Sequence, residues 1–137
     1  MRLFGLIIVG LVFATSSFAQ DDVTKAQGIV EQQIVAFLQD DIDTAYSFAA
    51  PGIKSLYPEP ERFIEMVKRN YQPVYRPGNY AFGRTMSGSD GNTIALELLI
   101  TGPEGKDWRA IYVLKKQEDG EFQISGVRLV ELEAPNI

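Results

Sequence analysis

Apolar positions recur at steps of three and four through the first half of the chain and at steps of two through the second. Val23, Ala26, Val30, Ile34 and Phe37 form one stripe, with Lys25, Gln32, Gln33 and Gln39 mostly off it, and the spacing predicts an amphipathic helix. Asp21 or Asp22 suits its start, because a carboxylate there accepts from free backbone donors and complements the helix dipole. Gly28 interrupts the pattern at a cost of about 1 kcal/mol against alanine, so it marks either a close packing contact or a tolerated defect. Asp40 and Asp41 end this helix. A second helix is predicted with Asp43 as cap and Ile42, Ala45, Tyr46 and Ala49 as its stripe, stopped by Pro51 and Gly52. Ile53 to Tyr57 reads as a short extended connection. The third helix starts at Pro60, which suits a first helical position. Glu59 and Glu61 lie at its positive end and Lys68 and Arg69 at its negative end, with Phe63, Met66, Val67 and Tyr71 facing inward. Pro73 and Pro77 then predict an extended crossing.

From Asn79 the period is two. Tyr80, Phe82 and Met86 alternate with Ala81, Gly83 and Thr85; Ile94, Leu96, Leu98 and Ile100 alternate with Ala95, Glu97 and Leu99. Trp108, Ala110, Tyr112 and Leu114 alternate with Arg109, Ile111, Val113 and Lys115. Asp90-Gly91 predicts a two-residue type I′ turn, which needs positive φ at both positions, and Asp119-Gly120 marks the last hairpin. Gly102 to Gly105 is a longer turn. In the final strand Phe122 and Ile124 share one parity and Val127 and Leu129 the other, a slip at Gly126 that predicts a β-bulge. The acidic tail from Glu131 is expected to fray. The order is three N-terminal helices, then a curved four-stranded antiparallel sheet. That is an α+β layout with helices on one face. A bent sheet under helices encloses a cone with room for an internal pocket.

Composition narrows the chemistry. A chain of 137 residues makes one domain. It has no cysteine, which removes disulfides, thiol catalysis, cysteine metal sites and a lipid-anchored N-terminal cysteine. It has no histidine, which removes Ser-His and Cys-His nucleophile pairs and the usual zinc sites. No metal or cofactor is implied, and any catalysis must use carboxylates, Lys, Tyr or a bound cofactor. Met1-Arg2 and the apolar run Leu3 to Ala14 read as the n- and h-regions of a signal peptide, residues 1–19, with cleavage between Ala19 and Gln20. The run is shorter than the roughly 20 residues that span a bilayer; an uncleaved anchor is the alternative. Loss of Arg2 would leave 12 of the 13 basic residues against 18 acidic ones, a net charge near −6 on residues 20–137. An acidic domain without a basic cluster is a poor partner for nucleic acid or anionic membranes. The chain is therefore expected to be exported, to the periplasm, with no integral membrane segment after processing.

Several stretches carry a resemblance: Ile34-Val35-Ala36-Phe37 with Asp40-Asp41, Ala45 to Ile53, Pro60-Glu61-Arg62-Phe63 with Met66-Val67, and Tyr71-Gln72-Pro73-Val74-Tyr75-Arg76-Pro77. Trp108 to Tyr112 and Gly120 to Gly126 extend it over nearly the whole of residues 20–137. Together they resemble a small bacterial family, the domain of unknown function DUF4864. The resemblance implies a cystatin-like or NTF2-like fold. It brings no activity, and proteins of that fold range from isomerases and dehydratases to non-catalytic binders, so function must be argued from a site.

Three sites are candidates. Tyr46, Phe48, Phe63, Tyr71, Tyr75, Trp108 and Tyr112 can line a pocket of apolar walls with polar handles, or simply form core. An acid-base pair can come from Asp43, Glu97 or Asp107 with Tyr46, Tyr75 or Tyr112, on the pattern of a carboxylate base beside a tyrosine donor. The stiff segment Tyr71 to Pro77 can serve as a docking edge, a dimer contact or a rigid connector. Arg62, Arg69, Arg76 and Arg84 are a weaker anion-site candidate, and Lys115-Lys116 reads as solvated. The expected function is non-catalytic binding of a small apolar or amphipathic ligand, or of a protein partner, with an acid-base isomerase or dehydratase as the alternative; homodimerisation is expected by analogy.

Overall fold

Five helices precede four strands in residues 17–133, the part of the chain that the computed structural model describes. The segments expected to be the n- and h-regions of a signal peptide, and the tail beyond Glu133, lie outside the described residues. The expected cleavage point, Ala19–Gln20, falls within helix α1, Ser17–Leu38, so Asp21 and Asp22 sit inside the helix and do not cap it. Ala26, Val30, Ile34 and Phe37 are buried, as their spacing predicts. Gln33 joins them at 4% exposure. Its Nε2–H donates to the Ala45 carbonyl at 3.1 Å, which offsets the cost of burying an amide. A Cβ on Gly28 would meet only Gln32 Nε2, at 3.9 Å, so this glycine is a tolerated defect.

Helix α1 ends in a Schellman turn. The Asp41 amide donates to Ala36 O at 2.8 Å and the Asp40 amide to Phe37 O at 3.1 Å, with Asp40 at φ 55°. An aspartate holds the position that glycine usually takes because its carboxylate ties down another element. Tyr75 Oη donates to Asp40 Oδ1 at 2.7 Å and Arg76 Nη2 at 2.5 Å. The Tyr75 bond, then the Arg76 bond, hold the Asp40 carboxyl below its ordinary range. Arg76 Nη1 also donates to Phe37 O, which thereby accepts a second hydrogen bond beside that from the Asp40 amide.

Helix α2, Ile42–Ser47, is capped by Asp41, whose Oδ1 accepts from Thr44 N at 3.2 Å; Asp43 lies in the first turn instead. Two segments predicted as extended are helical: α3, Pro51–Leu56, and α5, Gln72–Tyr75. In both, proline sits in the first turn, where its missing N–H has no intrahelical partner to lose. Between them α4, Pro60–Asn70, starts at the predicted proline and stops one residue before Tyr71, which caps it, with Phe63, Ile64 and Val67 buried. Pro73, Val74 and Tyr75 are buried too, so Tyr71 to Pro77 is an internal connector and not an exposed docking edge.

Strands β1, Tyr80–Ser87, β2, Thr93–Thr101, β3, Asp107–Lys116, and β4, Phe122–Leu132, form an antiparallel meander in chain order. Ile94, Leu96, Leu98, Ile100, Ala110, Tyr112, Leu114, Phe122 and Ile124 are buried with the helical stripes in one core, while Leu99 on the opposite parity is exposed. Val113 pairs with Gly126 and Leu114 with Ile124, which leaves Ser125 as the extra residue of the predicted bulge. A second irregularity was not signalled: Phe82 pairs with Leu98 and Thr85 with Leu96, so Gly83 and Arg84 face Glu97 together. A Cβ at Gly83 would lie 2.2 Å from Glu97 Oε1, so the glycine makes room for that side chain.

The Asp90-Gly91 turn is wider than a two-residue hairpin. Gly91 has φ 72°, but Asp90 does not adopt positive φ; its carboxylate accepts from Asn92 N, Thr93 N and Thr93 Oγ1 at 2.9–3.1 Å. Two successive positive-φ residues occur instead at Glu104, 63°, and Gly105, 71°. Strand β4 runs through Glu131, which pairs with Trp108 and approaches Lys106 at 3.8 Å, so the tail is ordered two residues past its expected fraying point. Lys116 is also less solvated than expected, lying 3.5 Å from Asp22 and over the Phe122 ring. Among the described residues, no helix is long and apolar enough to cross a membrane.

Candidate functional site

The link between α2 and α3 is stitched to β4. Ile124 N donates to Phe48 O and Ala50 N to Ile124 O, both at 2.8 Å, as a short parallel bridge. Helices α4 and α5 approach the same strand from the other side, where Tyr71 Oη donates to Val127 O at 3.1 Å. Between these two attachments the layers do not close fully, and an apolar cleft of about 60 Å³ remains. Phe37, Ala49, Phe63, Val67, Val74 and Ile124, all buried, form its floor and sides. Ile53, Met66, Tyr71 and Val127 are half-buried and stand where the cleft reaches solvent. Gln33 completes the wall. None of the lining residues is a carboxylate, lysine or arginine.

A row of aromatic rings backs the cleft. Tyr75 meets Phe37 edge-on with centroids 5.9 Å apart, Phe37 lies 6.4 Å from Phe63, and Phe63 meets Tyr46 edge-on at 5.4 Å. Such pairs add rigidity beyond their area. Arg76 stacks on the outer ring, Tyr75, at 4.0 Å, and Lys54 lies over Tyr46 at 5.4 Å. The cleft therefore has a stiff wall on the helical side.

Of the seven aromatic candidates, the structure brings Phe63 and Tyr71 to the cleft. Tyr46 stands one ring behind, its hydroxyl donating to Tyr57 O at 2.7 Å. Tyr75 is spent on Asp40. Phe48 faces a shallow groove between α1 and α2 on the other side of its own strand bridge. Trp108 lies at the far end of the sheet beside Tyr80, packed against Gly102, where a Cβ would come within 2.9 Å of the indole. Tyr112 is fully buried, and its hydroxyl has no hydrogen-bond partner among the described residues.

The acid-base candidates do not converge. Glu97 faces the uncovered side of the sheet, with Oε2 2.9 Å from Arg109 Nε and Oε1 accepting from Arg84 N at 3.3 Å. Asp43 and Asp107 are exposed, and none of the three lines the cleft. The four arginines do not converge either. Arg76 closes α1, Arg84 lies on β1, and Arg62 pairs with Glu59 at 3.4 Å. Arg62 and Arg69 border a wide depression of about 600 Å³ beside α4, but Glu59, Glu61 and Glu65 alternate with them there. Its charges are mixed and open to water, which makes it a solvated face despite its size.

Most of the cleft is built from Ala49, Ile53, Val67, Val74, Ile124 and Val127, aliphatic residues whose types announce no chemistry. Gln33, expected off the apolar stripe, is buried on it; the signal that could have placed it is its spacing, three residues after Val30 and four before Phe37.

Helices packed on one face of a four-stranded antiparallel sheet define an α+β domain, with a small apolar cleft left between the layers. Residues 18–137 match the family described as Domain of unknown function (DUF4864), and the chain belongs to that family. No curated protein matches the chain, and no solved structure does.

Proposed function

We propose that this chain is an exported, periplasmic binding domain without a catalytic role. It takes one end of a small apolar or amphipathic ligand, or one side chain of a protein partner, in the cleft between α4–α5 and β4. One observation carries the proposal: the cleft is lined by apolar side chains with no ionisable carboxylate or cation. Apolar walls reward loss of water from a hydrocarbon group, whereas proton transfer needs a free titratable group within hydrogen-bond reach, and the one that lines the cleft, Tyr71, gives its proton to Val127 O. The finer fold we propose is a cystatin-like or NTF2-like cone, supported by the one-sided layering and by the two bulges, which bend strands. Exposed Met86 and Leu99 on the uncovered sheet face are where the expected homodimer contact would fall.

The test is a two-dimensional amide NMR titration with straight-chain amphiphiles. Shifts are expected at Ala49, Val67, Val74 and Val127. Ala49→Val and Val74→Ile, each adding carbon to the cleft, are expected to weaken binding at least tenfold in a folded protein. Native mass spectrometry of the protein from its own compartment reads any retained ligand. Absence of any shift at the cleft, together with a ligand-free mass, removes the proposal.

A further inference from the structure

Gln33 is the polar exception in the cleft, and its amide is set one way round. The Nε2–H is committed to the Ala45 carbonyl at 3.1 Å, on the neighbouring helix α2. Its Oε1 accepts no hydrogen bond among the described residues, although Gln33 is 96% buried and lines the cleft. Tyr71, the other polar side chain on the wall, gives its hydroxyl proton to Val127 O. Gln33 Oε1 is thus the one side-chain amide oxygen on the wall, without a hydrogen bond among the described residues, and no cation or carboxylate lines the cleft with it; Tyr71 Oη, a weaker acceptor, is already tied to Val127 O.

We propose that the cleft selects a straight-chain ligand with a hydroxyl at or near the end it inserts, the O–H donating to Gln33 Oε1. This rests on the cleft being a binding site. A plain alkyl end would fill the space and leave the amide oxygen unpaired. A carboxylate end would place an anion against an acceptor with no cation on the wall, and an ammonium end would be buried without a counter-ion; both pay full desolvation. A neutral alcohol satisfies the oxygen and carries no charge inside. Size sets the shape of the ligand. About 60 Å³ is roughly two water shares of volume, room for the last two or three heavy atoms of a chain. A cavity known to hold benzene is about 150 Å³, more than twice this volume, so the space favours a straight chain over a ring.

The experiment compares 1-hexanol, its isomer methyl pentyl ether and hexanoate at pH 7, by NMR titration of the 15N-labelled protein. The ether has the same heavy-atom count and no donor. 1-Hexanol is expected to bind about tenfold more tightly than the ether, and hexanoate most weakly. The Gln33 side-chain NH2 signals are expected to shift with the alcohol and not with the ether, a readout that needs no variant. In Gln33→Leu the ether should still bind and the preference for alcohol should vanish. Equal binding of alcohol and ether, tighter binding of hexanoate, or a preference that survives Gln33→Leu overturns the inference and leaves the cleft a binding site. If none of the three binds, the proposed function falls and takes this inference with it.

Discussion

Replacing Tyr112 with phenylalanine removes one oxygen from the middle of the inner sheet face. Tyr112 stands on β3 opposite Leu96 and Val127, fully buried, and its hydroxyl meets no partner among the described residues. A buried polar group left unpaired costs roughly 1–3 kcal/mol. The void left by the oxygen is smaller than a methyl group, and a methyl-sized cavity costs about 1 kcal/mol. Tyr112→Phe is therefore expected to stabilise the fold by about 1 kcal/mol, a rise in Tm of roughly 3–6 °C for a domain of this size. Urea unfolding followed by Trp108 fluorescence reads it as a higher midpoint with an unchanged slope. Alkaline pH gives an independent check. Burial first, and Tyr80 second, push the Tyr112 hydroxyl above its ordinary value near 10. The native state then holds the proton that the unfolded state releases, so this residue's contribution is complete below pH ~10 and is lost as pH climbs through that value. The phenylalanine variant lacks the loss. Its advantage is expected to widen by about 1 kcal/mol between pH 10 and 11. A variant less stable than wild type at neutral pH, with no widening at alkaline pH, would mean that the hydroxyl is hydrogen-bonded after all.

Four further outcomes are expected. Gly28→Ala should raise stability by about 1 kcal/mol, since the site is helical and open to a methyl group; thermal unfolding reads it, and a lower Tm would restore the packing role. The two non-glycine residues with positive φ should respond in opposite directions to glycine. Glu104→Gly should stabilise by roughly 0.5–1 kcal/mol, because relief of the left-handed strain exceeds the added chain entropy. Asp40→Gly should instead lower the denaturation midpoint, because it strips Tyr75 and Arg76 of their acceptor. The depressed Asp40 carboxyl adds stability that is present above its ordinary value near 4 and lost as pH falls through the lower native one; Asp40→Asn should flatten the acid limb, and high salt should shrink the difference. Ligand binding at the cleft should be constant from about pH 5 to 9, because no carboxylate lines it and the chain has no histidine. A bell-shaped profile in that range would reopen the acid-base alternative.

The start of α4, the four strands, the inward parities of β2, β3 and β4 and the bulge before Val127 were legible in the sequence; the parity of β1 held only to Phe82, because the bulge at Gly83 and Arg84 turns Met86 to the uncovered face. Each follows from neighbours within a few residues: the period of apolar positions, a proline at a first turn, a parity slip at a glycine. Errors arose where one local signal admits two structures. Proline was read as a helix stop at Pro51 and Pro73, yet each opens a short helix, because first-turn and post-helix prolines look alike without their partners. Asp90-Gly91 was read as a tight turn, yet the Asp90 carboxylate caps Asn92 and Thr93 and widens the loop.

The sequence by itself determined the α+β class, the family, the absence of histidine and cysteine chemistry, and which face of each element is apolar. Only the tertiary structure decided where those faces fail to meet. The cleft lies between α4–α5 and β4, elements far apart in the chain, and is held open by the Phe48–Ala50 bridge to Ile124 and the Tyr71 bond to Val127. Periodicity reports that a residue is buried, not what it is buried against. That is why the aromatic set scattered, with Phe63 and Tyr71 at the cleft and Trp108 at the sheet's far end, while the polar contact inside the cleft fell to a glutamine of α1.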